Sequence, residues 1–548
     1  MGDLDVETVG LGGGKVRPFR RTAGKSTSAE QPRARPTDQR PEIVVRNELA
    51  AMTDEAEAAL LAASDLGIYQ RGGVLVHVGT VGASRKIRGV RRDAAAPAIV
   101  TLRFPALVEK LDRAAKWVKL RQDTTSGEWE KLDARPDQDV ARGLEARASW
   151  PLPYLAGVIQ TPTLRPDGTI LDRPGYDTET ELLYVPNAIY PAIPAEPSRE
   201  DAVRALEALR EPLAEFPFVA EHHRAAALAA VLSCVARFAI AGAAVPMFGI
   251  DARAPGTGKG LLVSALAMIG AGRAPARMTA PKDDGEEMRK AILALAMEGD
   301  PCILIDNVER PLGSDALASV VSDLVVKGRL LGVSKMVESE CSAVWFATGN
   351  GLRFKGDLGR RVVPIDLDAG VENPEARQFK RPDLLAFVAR ERPRLIAAAL
   401  TILRAYEVAG RPAHEWGAPI GSFEEWDARI RGVCAWIGLD DPALGRARIR
   451  AEGDADLDGL RGFLAAAYEV QRESAWTVAA LAQIAKGTEY AELHEALLNF
   501  GDGEKLSTRA IGKALDRYEG RIVDGHRFRR TTRGAGGSWK WRVEVVEG

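Results

Sequence analysis

The chain has 548 residues, enough for about three or four domains, with 46% hydrophobic and 27% charged residues, which excludes wholesale disorder and a membrane bundle. Lys plus Arg number 74 against 76 Asp plus Glu, a formal charge of -2, so any nucleic-acid partner must meet a local basic patch. Four scattered cysteines without a CxxC pair, and six histidines without HExxH, exclude a disulfide framework and the common zinc motifs and point to a reducing, cytoplasmic setting.

Residues 1–40, with a GLGGG run, several prolines and a basic excess, read as a disordered tail; no apolar run there suggests a secretory signal. Residues 41–197 read as an α+β domain of unknown role. Thr53 and Asp54 open a helix to about Ala63, Arg71-Gly72-Gly73 turns a hairpin between Ile68 and Val78, and a helix covers Pro105 to Lys119. From Gly157 to Pro186, Pro166-Asp167-Gly168 and Pro174-Gly175 mark short β hairpins. The membrane-like stretch Ala225 to Ile250 carries Arg237 and Pro246, so it reads as a buried helix, Arg224 to Ala241, followed by a strand, and no membrane partner is expected.

Residues 198–410 alternate helices with apolar runs of strand length, an α/β pattern. There MFGIDARAPGTGKGLLVSALAMIG gives strand, glycine loop and helix. Small residues let backbone N–H groups converge on phosphate oxygens while a lysine ammonium reaches the outer phosphates. Pro255, Gly256, Thr257, Gly258, Lys259, Gly260 and Leu261 are thus expected to hold ATP. Arg253 replaces the first glycine of GxxxxGK[ST], and Gly260 replaces the hydroxyl residue that holds Mg²⁺. A PGxGKG loop is also similar to that of adenylate kinases, which keeps a nucleoside monophosphate kinase as an alternative.

Pro301 to Asn307 is an apolar run ending in Asp306, placed to hold Mg²⁺ or its waters, with Asn307 where a second acid is usual. A second run, Ala343 to Thr348, ends at Asn350, which can orient an attacking water and touch the γ-phosphate. In Lys355 to Arg361, either Arg360 or Arg361 can serve as a finger toward a neighbouring subunit's nucleotide, the other reading being an ion pair with Asp357 or Asp366. The catalytic set is therefore Lys259, Asp306, Asn307, Asn350, Arg360 and Arg361.

Pro393 to Ala409 reads as an amphipathic helix, and residues 411–476 read as a helical lid and connector, with Phe423, Trp426, Ile430, Val433 and Trp436 at helical spacing. Residues 477–548 concentrate basic groups. Ser507 caps a helix to Tyr518 with Ile511, Leu515 and Tyr518 on its apolar stripe and Arg509, Lys513 and Arg517 on another face. Strand-like runs at Arg521 to Val523, at Arg527 to Thr532 with Arg529 and Arg530, and at Ser538 to Val546 with Trp539 and Trp541 complete a winged-helix pattern for duplex DNA.

GTGKG, ILIDN, WFATGN and GDLGRRVVPIDLD together resemble the helicase domains of phage, plasmid and integrative-element replication proteins, AAA+ ATPases close to superfamily 3 helicases. The resemblance implies a P-loop AAA+ core, ATP and Mg²⁺ as cofactors, and a homo-oligomeric ring, hexameric in the family's manner. It also implies a pore hairpin near Leu330 to Val337 whose Lys335 grips single-stranded DNA. The expected function is ATP-dependent DNA unwinding or translocation in mobile-element replication. Gly260 and Asn307 leave open a DNA-binding ATP switch, and a defence-related ATPase that ignores DNA is a further alternative.

Overall fold

The computed structural model describes residues 39–80, 90–93, 96–240, 242–281, 285–329, 336–417, 419–452, 455–501, 505–534 and 537–546. The expected tail, apart from Gln39 and Arg40, and Lys335 lie outside these residues.

The apolar runs of the middle region become strands buried on both faces, as a parallel sheet requires. Five strands line up in the order Ala276–Met278, Cys302–Val308, Val344–Gly349, Met247–Ala252 and Val362–Leu367, all parallel. The helix Lys259–Ala271 packs against Glu221–Val235 and Leu384–Val408, and Phe248, Phe346 and Trp345 sit in the shared core. Glu221–Val235 ends six residues before the expected Ala241, and Arg237 beyond it is buried with a bond to the Ile240 carbonyl. Among the described residues no helix is long and apolar enough to cross a membrane.

Three further helix boundaries differ from expectation. The long helix begins at Leu384 and runs through Pro393, because Leu384 and Val388 bury against the core ahead of the proline. Asp383 caps it by accepting from the Ala386 N–H. The helix expected over Pro105 to Lys119 spans Phe104–Ala114 and gives way to the strand Lys116–Gln122, where Trp117 and Val118 are buried. At the N-terminal side, Thr53 does not cap a helix. Leu49–Ala62 starts earlier, and the Thr53 hydroxyl bonds back to the Leu49 carbonyl.

Residues between Ile43 and Leu152 form their own small core around Leu107, Leu111, Trp117 and Leu144. The hairpin Ile68–Arg71/Val74–Thr80 turns at Gly72 and Gly73, both in the left-handed region at φ 59° and 72°. Its Arg71 is buried and donates to four carbonyls. Leu155 and Ala156 accept at 2.7 Å on its own side, and Ala296 at 2.8 Å and Glu340 at 2.6 Å accept from across the boundary with the sheet region. Arg92 clamps the same boundary through Asp300 and Glu298. A backbone bridge between Arg91 and Arg277, with both N–H···O bonds at 2.9 Å, attaches the N-terminal region to the outermost strand of the sheet.

Helical residues from Glu424 to Trp436, including a π turn over Asp427–Arg431, pack with Phe423 into the central core; Trp426 Nε1 donates to Ser233 Oγ at 2.8 Å. The helix Ala455–Gln471 packs instead with the C-terminal residues, where Phe463, Phe500 and Phe528 form an aromatic cluster. There the helix Thr508–Tyr518, capped by Ser507, buries Ile511, Leu515 and Tyr518 beside the hairpin His526–Arg533/Trp539–Val545. The expected strand at Arg521 to Val523 reduces to a bridge between Val523 and His526.

Candidate functional site

The site forms at the carboxyl ends of three neighbouring strands. Met247–Ala252 leads into the glycine loop, where Gly256 and Gly258 take φ 75° and 96°, values a side chain resists. Thr257 is buried and its hydroxyl donates to the Ala254 carbonyl at 2.6 Å, which closes the loop on itself. Lys259 and Gly260 then open the helix; Pro255 and Leu261 are exposed. Burial pushes the Lys259 ammonium down from its ordinary range, while the Asp251 and Asp306 carboxylates oppose that shift.

The strand Val344–Gly349 lies between the loop strand and Cys302–Val308. This insertion places Asn350 opposite the loop, where its Oδ1 accepts from Lys259 Nζ at 2.6 Å. Thr348, one turn of the pleat earlier, donates to Asp306 Oδ1 at 2.7 Å and accepts from the Asn307 N–H at 3.1 Å. The Cys302–Val308 strand bulges after Ile305, and Asn307 adopts φ 54°. Its side chain consequently turns away from Asp306 and donates to Glu309 Oε1 at 3.1 Å. Lys259, Asp306 and Asn350 therefore share one sheet edge, and Asn307 and Glu309 form a separate exposed pair beside it.

Arg277, which sequence reasoning missed, completes the site. Its Nη1 stands 3.3 Å from Asp306 Oδ2, and its Nη2 donates to the Gly260 carbonyl at 3.3 Å and to Ser264 Oγ. Two further residues were missed. Glu375 lies against the loop, with its Cβ 3.3 Å from where a Cβ on Gly256 would stand. Arg448 reaches the neighbouring strand ends, pairing with Asp366 at 2.7 Å and approaching Asp251 at 3.9 Å. Beside them His223, 3.3 Å from Asp366, is held down to about 4 by burial, and the His222 and Arg448 charges add to the effect.

The residues present do not form a protein-built Mg²⁺ site. The P-loop hydroxyl is absent at Gly260. Asp306, the remaining donor, already accepts from Thr348 on one oxygen and faces a guanidinium on the other. No cluster of three or more His, Cys, Asp or Glu suited to a metal occurs among the described residues.

The two candidate fingers occupy different environments. Arg361 is only 12% exposed and is held by the Ala318 carbonyl, Ser322 Oγ and Asp357. Arg360 is 57% exposed and, among the described carboxylates, pairs with Asp357, within the turn Gly356–Arg361.

The candidate nucleic-acid residues are likewise divided. The hairpin Val325–Arg329/Met336–Glu340 frames the segment that contains Lys335. Lys513 and Arg517 line one wall of a cavity of about 630 Å³, and Arg353 and Lys355 of the sheet region line it too. Arg530 is tied internally to Asp516 at 2.8 Å and Glu519 at 2.9 Å and lies over the rings of Trp539 and Trp541. Arg509 and Arg529 are exposed; Arg529 Nε stands 3.9 Å from Glu544.

No known family model matches the chain, and no curated protein matches it. Among solved structures, the apo C-terminal region of NrS-1 is similar at 13% identity over 81% of this chain and 99% of that one, with a TM-score of 0.30. An SCCmec type IV Cch described as an active helicase is similar at 12% identity over 88% and 97%, also with a TM-score of 0.30. The JCV helicase is similar at 13% over 47% and 73%, with a TM-score of 0.20. Scores this low do not define a shared fold.

Proposed function

We propose that the chain is an ATP-dependent DNA helicase or translocase built on a P-loop AAA+ core of the superfamily 3 type, working as a homo-oligomer in replication of a mobile element. The observation that carries this reading is the strand ending at Asn350, inserted between the glycine-loop strand and the Asp306 strand. It brings a polar amide within bonding distance of Lys259 at the place where a terminal phosphate would meet the ammonium. A monophosphate kinase has no use for such an amide, whereas hydrolysis needs a group that orients water against the γ-phosphate.

In this reading the loop N–H groups and Lys259 hold the phosphates. On nucleotide entry Lys259 leaves Asn350 for phosphate oxygens, and Asn350 is released to hold the attacking water. Asp306, fixed by Thr348, supplies negative charge beside them. Arg360 reaches a neighbouring subunit's nucleotide, while Arg361 holds the turn that carries it. The paired strands Val325–Arg329 and Met336–Glu340 offer single-stranded DNA a contact, and the C-terminal winged helix offers duplex DNA its Arg509 and Arg529 face.

ATP hydrolysis by the wild type and Lys259→Ala, with and without single-stranded DNA and alongside assembly mass, tests the proposal. DNA-stimulated turnover lost in the variant supports it; turnover unaffected by DNA in a monomer overturns it. The absence of a hydroxyl at Gly260 and of an acid at 307 favours a second reading, an ATP switch that binds DNA and turns over slowly; stable ATP binding with hydrolysis near background identifies it.

A further inference from the structure

Position 260 is open toward the site. A Cβ built there would stand 3.6 Å from Arg277 Nη1 and 3.9 Å from Asp306 Oδ1, both ordinary contacts. The side of the loop helix on which a P-loop carries its hydroxyl therefore faces this guanidinium and carboxylate, and the missing side chain leaves the room that Arg277 uses. Three attachments hold the guanidinium there: Asp306 on one fork, the Gly260 carbonyl and Ser264 Oγ on the other. Ser264 Oγ in turn donates to the Gly260 carbonyl at 2.5 Å, so the arginine is braced against the first turn of the helix. At its root both backbone groups of Arg277 are paired with Arg91. An arginine whose function was only to cancel the Asp306 charge would not need to reach the first turn of the loop helix with a third of its side chain exposed (32%).

We propose that Arg277 is a phosphate-binding residue, whose guanidinium supplies to the phosphate oxygens of a nucleoside di- or triphosphate the positive charge that hydroxyl-bearing loops recruit through a metal. The inference rests on the nucleotide site proposed above. A planar fork carrying several donors suits phosphate oxygens, and it is always charged. Nucleotide binding by this chain therefore depends only weakly on divalent cations.

The test is binding of fluorescent ADP and ATP analogues to the full chain, in excess Mg²⁺ and in EDTA. The wild type binds with affinities within about 5-fold of each other in the two conditions, and Arg277→Gln loses about 10- to 100-fold in EDTA, the worth of one or two charge-assisted hydrogen bonds. In Mg²⁺ the variant loses less, so that it becomes metal-dependent, and Gly260→Ser in the Arg277→Gln background restores Mg²⁺-dependent binding. Arg277→Lys, which keeps the charge, recovers part of the EDTA affinity, and thermal melting of each variant separates loss of binding from loss of folding. Wild-type binding that requires Mg²⁺, or equal losses in both conditions for a folded Arg277→Gln, overturns the inference and leaves the nucleotide site standing. Absence of wild-type binding in both conditions, with Lys259→Ala indistinguishable from it, overturns the site itself.

Discussion

Lys259 Nζ and Asn350 Oδ1 stand 2.6 Å apart, so the loop lysine is held by the amide at the tip of the neighbouring strand. A terminal phosphate would compete for both groups at once. Asn350→Ala is therefore expected to leave nucleotide affinity within a few-fold of wild type, since it frees the lysine as it removes a contact. The turnover number should fall by about 100-fold or more, as for loss of one transition-state donor. Steady-state kinetics beside equilibrium binding check this split; a large affinity loss with unchanged turnover contradicts it.

Arg360 and Arg361 are adjacent in sequence but differ in what they hold. Arg361→Ala removes bonds to the Ala318 carbonyl, Ser322 Oγ and Asp357 at a nearly buried position, an expected cost of about 2–3 kcal/mol. Arg360→Ala should stay within about 0.5 kcal/mol of wild type, because its ion pair is exposed. Its ATP turnover should nevertheless fall by about 1,000-fold. Denaturant melts and hydrolysis rates on both variants test the contrast, and full activity in Arg360→Ala removes it from the finger role.

The His223 pKa, about 4 in the fold against 6.5 for an unperturbed imidazole, has a defined sign for stability. Between these values the unfolded chain binds a proton that the folded chain does not, so stability falls as pH drops from 6.5 toward 4 and is unaffected by this group above that window. His223→Gln should flatten that part of the melting-temperature profile; an identical acid limb in both proteins rules out the histidine. On the alkaline side, because the Lys259 pKa is lowered, nucleotide affinity should fall as pH rises, and the fall should set in before pH 10.5, the value of an ordinary lysine, as seen by titrating analogue binding against pH.

The internal commitments of the C-terminal arginines separate the proposed DNA contacts from supports. Arg509→Ala and Arg529→Ala should each weaken duplex binding and reduce the salt slope by about one. Arg530→Ala should instead lower stability, because it releases Asp516, Glu519 and two tryptophan faces. Affinity measured at several salt concentrations, with melts of the same variants, distinguishes the two groups.

The glycine loop, Asp306 and Asn350 were legible because each ends an apolar run long enough to identify a buried strand. The chain order of those runs does not give their lateral order, and only the sheet shows that the Asn350 strand lies in the middle. Arg277 carried no signal. Its strand is three residues long, and a charged centre between Ala276 and Met278 resembles a loop. The two fingers could not be ranked, since whether an arginine finds the Ala318 carbonyl and Ser322 depends on a helix some forty residues earlier in the chain. Pro393 misled for a physical reason: proline usually marks a first turn, and here burial of Leu384 and Val388 carries the helix through it.

The bridge between Arg91 and Arg277 also makes the sheet's outer margin a shared possession of two regions of the chain. A fragment cut at the apparent start of the α/β region, near Arg199, would lose the bridge that Arg91 makes to the outer side of Ala276–Met278 along with the guanidinium that faces Asp300. What remained would present unpaired N–H and C=O groups at a raw β edge, the kind of margin that recruits other chains into aggregates. The N-terminal region thus acts as a selvedge for the sheet, and the smallest portion of this protein that can be handled alone is larger than its motifs suggest.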